Sequence, residues 1–266
     1  MLTIRSIVFT GFLFVSAILA SMLIVLVSWA PFRVPWAITV GWSRLMVRAG
    51  DLLCGLKIVV EGRENIPDTP SVIMIKHTTA LEAYWQIKEF PRAAWVVKRE
   101  LFWVPFLGWA LKFALAAISI NRDARSSAVR QIIEQGVARL ADGVWVTIFP
   151  EGTRVPPGEA GRYGISGAAL AKAAGCLIVP VAHNAGDFWP RRGLRKQPGI
   201  VRFRIGPPID ASRQSAKETT RLVQDWIETT MLEISTVYSD KQRSSDDTSA
   251  LPGMASAPLV NNGKRQ

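Results

Sequence analysis

Histidine and cysteine are scarce in this chain, since each occurs only twice among 266 residues. The cysteines, Cys54 and Cys176, lie far apart in apolar stretches. This placement argues against a disulfide framework and indicates buried thiols in a reducing compartment. No set of His, Cys and carboxylate residues has metal-ligand spacing, so we expect no metal site. His77 and His183 are then the candidates for a base near neutral pH.

Acidic residues are few relative to basic ones. The chain has 21 Asp and Glu against 32 Lys and Arg, which gives a formal net charge of +11. Such a charge indicates an anionic partner, either a nucleic acid or a membrane surface. The basic residues are scattered, and no zinc spacing, RNA-binding signature or basic helix accompanies them. We therefore expect no nucleic-acid partner and favour membrane lipids.

No charged residue occurs in the 24 residues from Ile7 to Ala30. A helix of that length reaches about 36 Å, enough to cross a hydrocarbon core of about 30 Å. A cleaved signal peptide is the alternative. However, the run is longer than a usual signal core, only Arg5 precedes it, and no small-residue cleavage site closes it before Trp29. We therefore favour a membrane anchor.

A second, weaker apolar stretch follows from Val34 to Leu56 and is interrupted by three charged residues. Its tryptophans, Trp36 and Trp42, suit the headgroup region of a membrane. The stretch is interpreted as an interfacial amphipathic helix or as the second arm of a helical hairpin. A core helix of the following domain is the alternative. We expect residues 1–56 to form the membrane anchor.

Beyond residue 56, short apolar runs alternate with helix-like segments. The predicted strands are Ile58–Val60, Val72–Ile75, Ala94–Val97, Ala117–Ile120, Val144–Phe149, Ile178–Ala182 and Val201–Ile205. The predicted helices are Ala80–Phe90, Arg125–Ala141, Ile165–Ala174 and Ser215–Tyr238. The alternation predicts an α/β domain over residues 57–238, with a layered, mostly parallel sheet and flanking helices. The composition of residues 239–266 predicts a disordered tail.

His77 closes one predicted strand, and the carboxylate of Glu82 follows five residues later. On one regular helix these side chains would point about 140° apart, so they can meet only if His77 precedes the helix. Thr79 and Glu82 also fit a capping box, in which Glu82 bonds first-turn amides. Alternatively, Glu82 bonds one ring nitrogen of His77 and leaves the other free as a base. This segment alone leaves both interpretations open.

Charged residues also follow other predicted strands. The segment Glu151–Arg154 follows the strand that ends at Phe149, and Lys98 closes another. Ligands of open α/β sheets bind at the carboxyl ends of strands, and an arginine there offers a fork for phosphate. An ordinary turn and an amphipathic helix with a solvated lysine are the alternatives. For His183, a hydrogen-bonded structural role is favoured over a role in a pocket.

Four blocks in this chain resemble the ordered motifs of the glycerolipid acyltransferases, above all the bacterial 1-acyl-glycerol-3-phosphate acyltransferases. The resemblance covers residues 72–186 and the hydrophobic N-terminus. In this family Asn commonly precedes the histidine and Asp is the carboxylate, where this chain has Lys76 and Glu82. The four blocks are His77 with Glu82, Lys98-x-Glu100-Leu101-x-x-x-Pro105-x-x-Gly108, Phe149-Pro150-Glu151-Gly152-Thr153-Arg154, and Ile178-Val179-Pro180-Val181-Ala182.

The resemblance implies that His77 is the general base on the sn-2 hydroxyl of lysophosphatidic acid and that Glu82 orients it. The hydroxyl would attack the thioester of acyl-CoA or acyl carrier protein directly, with no acyl-enzyme and no cofactor. Lys98 and Arg154 would hold the acceptor phosphate. The remaining residues that the resemblance assigns to that site are Glu151, Gly152 and Thr153.

The implied product is phosphatidic acid for phospholipid synthesis, made at a bacterial inner membrane by a domain that faces the cytoplasm. Two alternatives stay open. One is an acyltransferase that uses another lysolipid acceptor. The other is a non-catalytic membrane protein that keeps the fold and binds lipid.

Overall fold

The structure is a computed structural model that describes residues 1–121, 125–190 and 193–241. Its centre is an eight-stranded sheet, and helices pack against both faces. The predicted α/β class with flanking helices is therefore confirmed. The sheet is preceded by two long helices near the N-terminus.

The helices are α1 (Leu2–Leu26), α2 (Arg33–Cys54), α3 (Leu81–Glu89), α4 (Leu107–Phe113), α5 (Arg125–Ala141), α6 (Ser166–Ala174), α7 (Ala185–Phe188) and α8 (Ala216–Ile234). The strands are β1 (Leu56–Glu61), β2 (Val72–Ile75), β3 (Ala93–Lys98), β4 (Ile118–Ile120), β5 (Trp145–Ile148), β6 (Leu177–His183), β7 (Gly199–Ile205) and β8 (Ile209–Asp210). Short 3-10 helices cover Arg63–Asn65 and Arg99–Trp103.

The strand order is β1-β7-β6-β2-β5-β3-β4, and β8 also pairs with β6. Neighbours from β6 to β4 run parallel, as does the pair β1 and β7. The pairs β6–β7 and β6–β8 are antiparallel. A mostly parallel sheet was predicted, and it is what the structure shows.

The central strand β2 is buried on both faces, which explains why its four residues are all apolar. Ile73 and Ile75 belong to the core beneath α1, α2 and α3. Val72 and Met74 belong to the core beneath α5, α6 and α8. Each face of the sheet thus has its own hydrophobic cluster, and the ends of β2 lie between the two layers.

Helices α1 and α2 pack against each other as a hairpin, as the second-arm interpretation of residues 34–56 predicts. The core-helix alternative also holds in part, because α2 buries one face that includes Met46 and Ser43. The Ser43 hydroxyl donates to the Tyr84 carbonyl of α3 at 2.6 Å. The hairpin is therefore attached to the α/β domain.

Contacts near both ends of α1 hold it against the α/β domain. Near its start, the Lys196 ammonium donates to the Thr10 hydroxyl at 2.7 Å, and the side chain of Phe9 is fully buried. Near its end, Ile24 packs against Ala110 of α4 and against Ala114, which directly follows α4. The other side of α1 exposes many large apolar side chains. In length and composition α1 could cross a membrane.

The observed elements differ from the prediction mainly at their ends. The strand predicted at Ala117–Ile120 begins at Ile118, and the one predicted at Ala94–Val97 extends through Lys98. The short helices α4 and α7, the strand β8 and both 3-10 helices were not predicted, because segments of two to seven residues are too short to show a clear periodicity. Residues 239–241 of the predicted tail are helical, and residues 242–266 lie outside the described part. The boundaries proposed at residues 56 and 238 stay predictions.

Candidate active site

The carboxyl ends of neighbouring parallel strands bring the predicted site segments to one edge of the sheet. His77 follows β2, Glu151 follows β5, and Lys98 ends β3, in the spatial order β2-β5-β3. Adjacent strands lie about 4.8 Å apart, so this row of three strands spans about 10 Å. His183 ends β6 on the other side of β2. The arrangement is the ligand-binding edge expected of an open α/β sheet.

The turn between β2 and α3 is short and is held by its own side chains. The Leu81 amide donates to the Thr79 hydroxyl at 2.9 Å, which satisfies one free donor at the start of α3. Glu82 lies in the first turn of α3, and its carboxylate reaches back over the turn. His77 thus precedes the helix and Glu82 lies just inside it, as their spacing required.

Glu82 makes the contacts of both interpretations at once. Its Oε1 lies 2.8 Å from Nδ1 of His77 and accepts from the amides of Thr78 at 3.0 Å and Thr79 at 2.8 Å. Its Oε2 accepts the Thr79 hydroxyl in a very short hydrogen bond. The capping box is only half formed, because the Thr79 hydroxyl accepts from Leu81 and not from the Glu82 amide. One carboxylate therefore both fixes the turn and orients the imidazole.

The Glu82 carboxylate is fully buried and stays ionised. Burial acts to raise the pKa of this carboxyl, but the hydrogen bonds from His77 and from the Thr79 hydroxyl hold its pKa below the usual value. An ionised acceptor favours the tautomer of His77 that carries its proton on Nδ1. The Nε2 lone pair of His77 is then free to accept a proton.

The His77 ring stays partly open to solvent, with 17% of its side chain exposed. It stacks on Phe149 with ring centroids 4.1 Å apart. Its carbonyl accepts the Val155 amide at 2.8 Å, which ties the turn after β2 to the loop after β5. The ring is thus oriented by Glu82 and packed against Phe149, yet still reachable.

His183 has the structural role that the sequence favoured. It is fully buried, its Nε2 donates to the Lys76 carbonyl at 2.7 Å, and its Nδ1 accepts the Ala185 amide at 3.3 Å. Burial lowers the pKa of His183, and the attraction of Glu82 offsets this only in part. A neutral His183 therefore holds the backbone immediately before His77.

The loop after β5 turns sharply at Gly152, whose φ of +66° is readily available only to glycine. Gly152 and Thr153 are exposed and Arg154 is half-buried at this edge. Lys98 is exposed at the end of β3. These four residues follow or end strands at the same edge of the sheet, and their role in binding the acceptor phosphate stays a prediction.

Glu151 points into the protein and not toward the open edge. Its side chain is 1% exposed, and its Oε1 lies 3.5 Å from the ammonium of Lys76. Burial raises the pKa of this carboxyl to about 7, against the lowering effect of Lys76. Glu151 can therefore affect the predicted phosphate site only indirectly, by holding the position of the loop that contains Arg154.

An apolar cavity of about 270 Å³ opens beside the turn that carries His77. Ala80, directly before α3, is among its lining residues, which otherwise come from α1, α2, α3, α4, the residues just after α4, and Trp95 of β3. Almost all of the lining surface is apolar. From the sequence, the segments that form α1 and α2 were expected to be a membrane anchor, with a core helix as the alternative for the second. Their contribution to this cavity was not predicted. No local signal could have shown it, because the lining residues come from segments far apart in the chain.

Within residues 1–121, 125–190 and 193–241, no group of three or more His, Cys, Asp and Glu side chains is arranged to hold a metal ion. The sequence expectation of a site without metal or cofactor stays a prediction.

Comparison with known proteins places this arrangement in a family. A protein-family model described as Acyltransferase matches residues 57–184. A 1-acyl-sn-glycerol-3-phosphate acyltransferase of Pseudomonas aeruginosa is 39% identical over 211 residues, which cover 78% of this chain and 82% of that protein. The chain belongs to the 1-acyl-sn-glycerol-3-phosphate acyltransferase family. Like its relatives it is an O-acyltransferase, and the resemblance seen in the four sequence blocks is confirmed.

More distant proteins of the acyltransferase family match as well. The 1-acyl-sn-glycerol-3-phosphate acyltransferase alpha of Mus musculus is 28% identical over 216 residues, covering 80% of this chain and 75% of that protein. The crystal structure of the 1-acyl-sn-glycerophosphate (LPA) acyltransferase PlsC from Thermotoga maritima is 21% identical, with a TM-score of 0.71. It covers 95% of this chain and all of that one, so the shared fold includes the N-terminal hairpin.

Replacing Glu82 by Gln should lower kcat at least about 10²-fold, because the amide cannot stabilise an imidazolium as a carboxylate does. Glu82→Asp keeps the charge and should lose less. Both can be measured by steady-state acyl transfer with the full-length acyltransferase. Glu218→Gln is the matched control, since Glu218 lies in the first turn of α8 but is exposed. A Glu82→Gln enzyme as active as Glu218→Gln would contradict the role of this carboxylate.

The protonation of Glu151 should make stability depend on pH. In the folded chain its pKa is about 7, against 4.5 for the free side chain. Between these values the folded state keeps a proton that the unfolded state has lost, so its contribution to stability falls as pH rises from 4.5 to about 7 and levels off above that. Glu151→Gln should therefore lack this contribution to the change in Tm between about pH 5 and about pH 7. Parallel Tm curves for the two proteins would show that Glu151 does not titrate in this window.

Proposed function

We propose that this chain transfers an acyl group from a thioester donor, acyl-CoA or acyl carrier protein, to the sn-2 hydroxyl of 1-acyl-glycerol-3-phosphate. The product is phosphatidic acid. The observation that carries the proposal is the His77–Glu82 dyad at the carboxyl edge of the sheet, in a chain 39% identical to an acyltransferase named for that acceptor.

In the proposed reaction, Nε2 of His77 takes the proton of the acceptor hydroxyl. The hydroxyl oxygen attacks the thioester carbonyl, so that a carbon–oxygen bond forms and the carbon–sulfur bond breaks. The leaving thiolate then takes the proton back from His77. Glu82 holds Nδ1–H and stabilises the imidazolium between the two proton transfers. No acyl-enzyme and no cofactor are needed, because the base activates the acceptor directly.

The acceptor phosphate is proposed to lie against Arg154 and Lys98. The exposed Gly152 and Thr153, which precede Arg154 in the same loop, would shape this site. An arginine guanidinium binds phosphate with two parallel hydrogen bonds, and a lysine adds a point charge. Fixing the phosphate fixes the neighbouring glycerol carbon. The sn-2 hydroxyl is thereby held near His77, which lowers the entropic part of the barrier.

The apolar cavity beside Ala80 is proposed to take an acyl chain of one substrate. Its lining is almost wholly apolar, and it includes Ala80, which follows His77 by three residues along the chain. A chain that enters there would leave its carbonyl or glycerol end at the edge of the sheet. The cavity thus connects the reacting atoms with the side of the protein that α1 and α2 occupy.

The contacts of α1 with the α/β domain restrict how this helix can lie in a membrane. Contacts at Thr10 and at Ile24 keep both ends of the helix against the α/β domain. An upright, membrane-crossing α1 would carry the charged domain into the hydrocarbon, which is very unfavourable. We therefore propose that α1 and α2 lie within one leaflet of the bacterial inner membrane, on its cytoplasmic side. The net charge of +11 suits the anionic surface there.

Single cysteines placed before α1, at Thr3, and after it, at Trp29, test this orientation in a background without Cys54 and Cys176. Both should react with a membrane-impermeant thiol reagent from the cytoplasmic side of oriented vesicles. Reaction of the two positions from opposite sides would show that α1 crosses the bilayer.

One alternative remains for the activity itself, namely acyl transfer to another lysolipid acceptor. His77→Ala should lower turnover at least about 10²-fold while vesicle binding is unchanged. His183→Ala is unsuitable as a control because His183 is buried, so the exposed Glu218→Gln serves again. With wild type, 1-acyl-glycerol-3-phosphate should give a higher kcat/KM than lysophospholipids with larger headgroups. A preference for another lysolipid would replace the acceptor, and full activity of His77→Ala would remove the mechanism.

A further inference from the structure

A buried charged cluster lies directly behind the residue that precedes the base. Lys76 is fully buried, and its ammonium lies 2.7 Å from Oε1 of Glu228, 3.1 Å from the Glu159 carbonyl and 3.5 Å from Oε1 of Glu151. The ammonium also lies 5.1 Å from the centre of the Tyr238 ring. A buried ammonium is tolerated only when it is paired, and here its closest carboxylate partner is Glu228.

Glu228 is in turn held by two phenols. Its Oε1 accepts the Tyr163 hydroxyl at 2.9 Å, and its Oε2 accepts the Tyr238 hydroxyl at 2.8 Å. Both carboxylate oxygens of Glu228 therefore have partners, and Lys76 completes the set. These paired contacts around Glu228 restrain the elements that carry them, namely the turn after β2, the segment with Tyr163, and α8 with the residues that follow it.

The backbone of Lys76 is fixed as firmly as its side chain. Its amide donates to the Val181 carbonyl at 3.1 Å, and its carbonyl accepts Nε2 of His183 at 2.7 Å. His77 is the next residue. A displacement of the Lys76 side chain would therefore strain the bonds that set the start of the catalytic turn.

Two parts of the proposed active site meet in this cluster. Lys76 directly precedes His77 at the start of the catalytic turn, and Glu151 lies in the loop that contains Arg154. Glu228 comes from α8, which lies outside the segment that the acyltransferase family model matches. Where the family commonly has Asn before the base, this chain has a lysine whose charge is balanced by a residue of α8.

We propose that the Lys76–Glu228 ion pair is a positioning element that holds the catalytic turn and the acceptor-phosphate loop in register, and that α8 thereby takes part in acceptor binding. Neither side chain touches the reacting atoms. The inference rests on the proposed function and deepens it, because it assigns acceptor affinity to a residue of α8.

The two single variants leave opposite charges of the pair without a partner. In Glu228→Gln, Lys76 keeps its charge and is left with Glu151, which would be drawn toward the ammonium with its loop. In Lys76→Met, Glu228 keeps its two phenols but loses its cation and becomes an unbalanced charge. Each single variant should displace the catalytic turn or the 150–154 loop. In the double variant Lys76→Met with Glu228→Gln, neither charge of the pair remains, and Glu151 keeps its proton because burial raises its pKa.

The test measures kcat and both substrate KM values for full-length enzyme, together with Tm. Glu228→Gln and Lys76→Met should each raise the acceptor KM about tenfold and lower kcat, with the donor KM changed less than about twofold. The acceptor in this assay is 1-acyl-glycerol-3-phosphate. The double variant should recover a large part of that loss, so that the effects are not additive. Glu233→Gln is the matched control, since Glu233 also lies on α8 but pairs at the surface with Arg204.

A merely structural pair would lower Tm and leave both KM values unchanged in the folded enzyme, and that result would overturn the proposal. Additive losses in the double variant would overturn it as well. If Lys76→Met fails to fold, Glu228→Gln decides alone through its acceptor KM. Failure of wild type to acylate 1-acyl-glycerol-3-phosphate would instead remove the proposed function, so the two failures are distinguishable.

Discussion

The site depends on one buried carboxylate. Glu82 receives the backbone amides of Thr78 and Thr79, the Thr79 hydroxyl and Nδ1 of His77, so its negative charge is satisfied without water. The same bonds shape the turn and orient the base. A carboxylate used only for capping would leave the imidazole free to rotate, and one used only for the imidazole would leave unpaired amides in the core. Here the folding of the turn and the orientation of His77 are one event.

Around this carboxylate, the parallel sheet supplies the geometry. Parallel strands end at the same edge, so segments separated by tens of residues arrive within a few strand spacings of each other. The link from Val155 to the His77 carbonyl and the stacking of His77 on Phe149 join two of these ends directly. Below them, Lys76 and Glu151 continue the connection into the core.

In the proposed placement, the N-terminal hairpin joins the site to the lipid phase. Its inner side packs on the domain and lines the apolar cavity, while the outer side of α1 exposes large apolar residues. A hydrophobic helix in this position can serve two purposes, and the same apolar composition suits both. It offers a surface for lipid, and it forms part of the wall beside which an acyl chain can lie. The acyltransferase therefore does not divide cleanly into an anchor and an enzyme.

Local sequence patterns were enough to predict seven of the eight strands and the longer helices of the α/β domain, and they gave the pairing of His77 with Glu82 as one of two interpretations. Periodicity and a five-residue spacing across a strand-to-helix turn are set by neighbouring residues, which is why these features could be predicted. The same patterns placed the Glu151–Arg154 loop and Lys98 at strand ends. They could not show that Glu151 points inward, because burial depends on what packs above a loop. The folded chain was needed to show that Lys76 pairs with Glu228, 152 residues away, and that α1 lines a cavity. Contacts at such separations come from the packing of layers, and no local pattern encodes which charge will meet which.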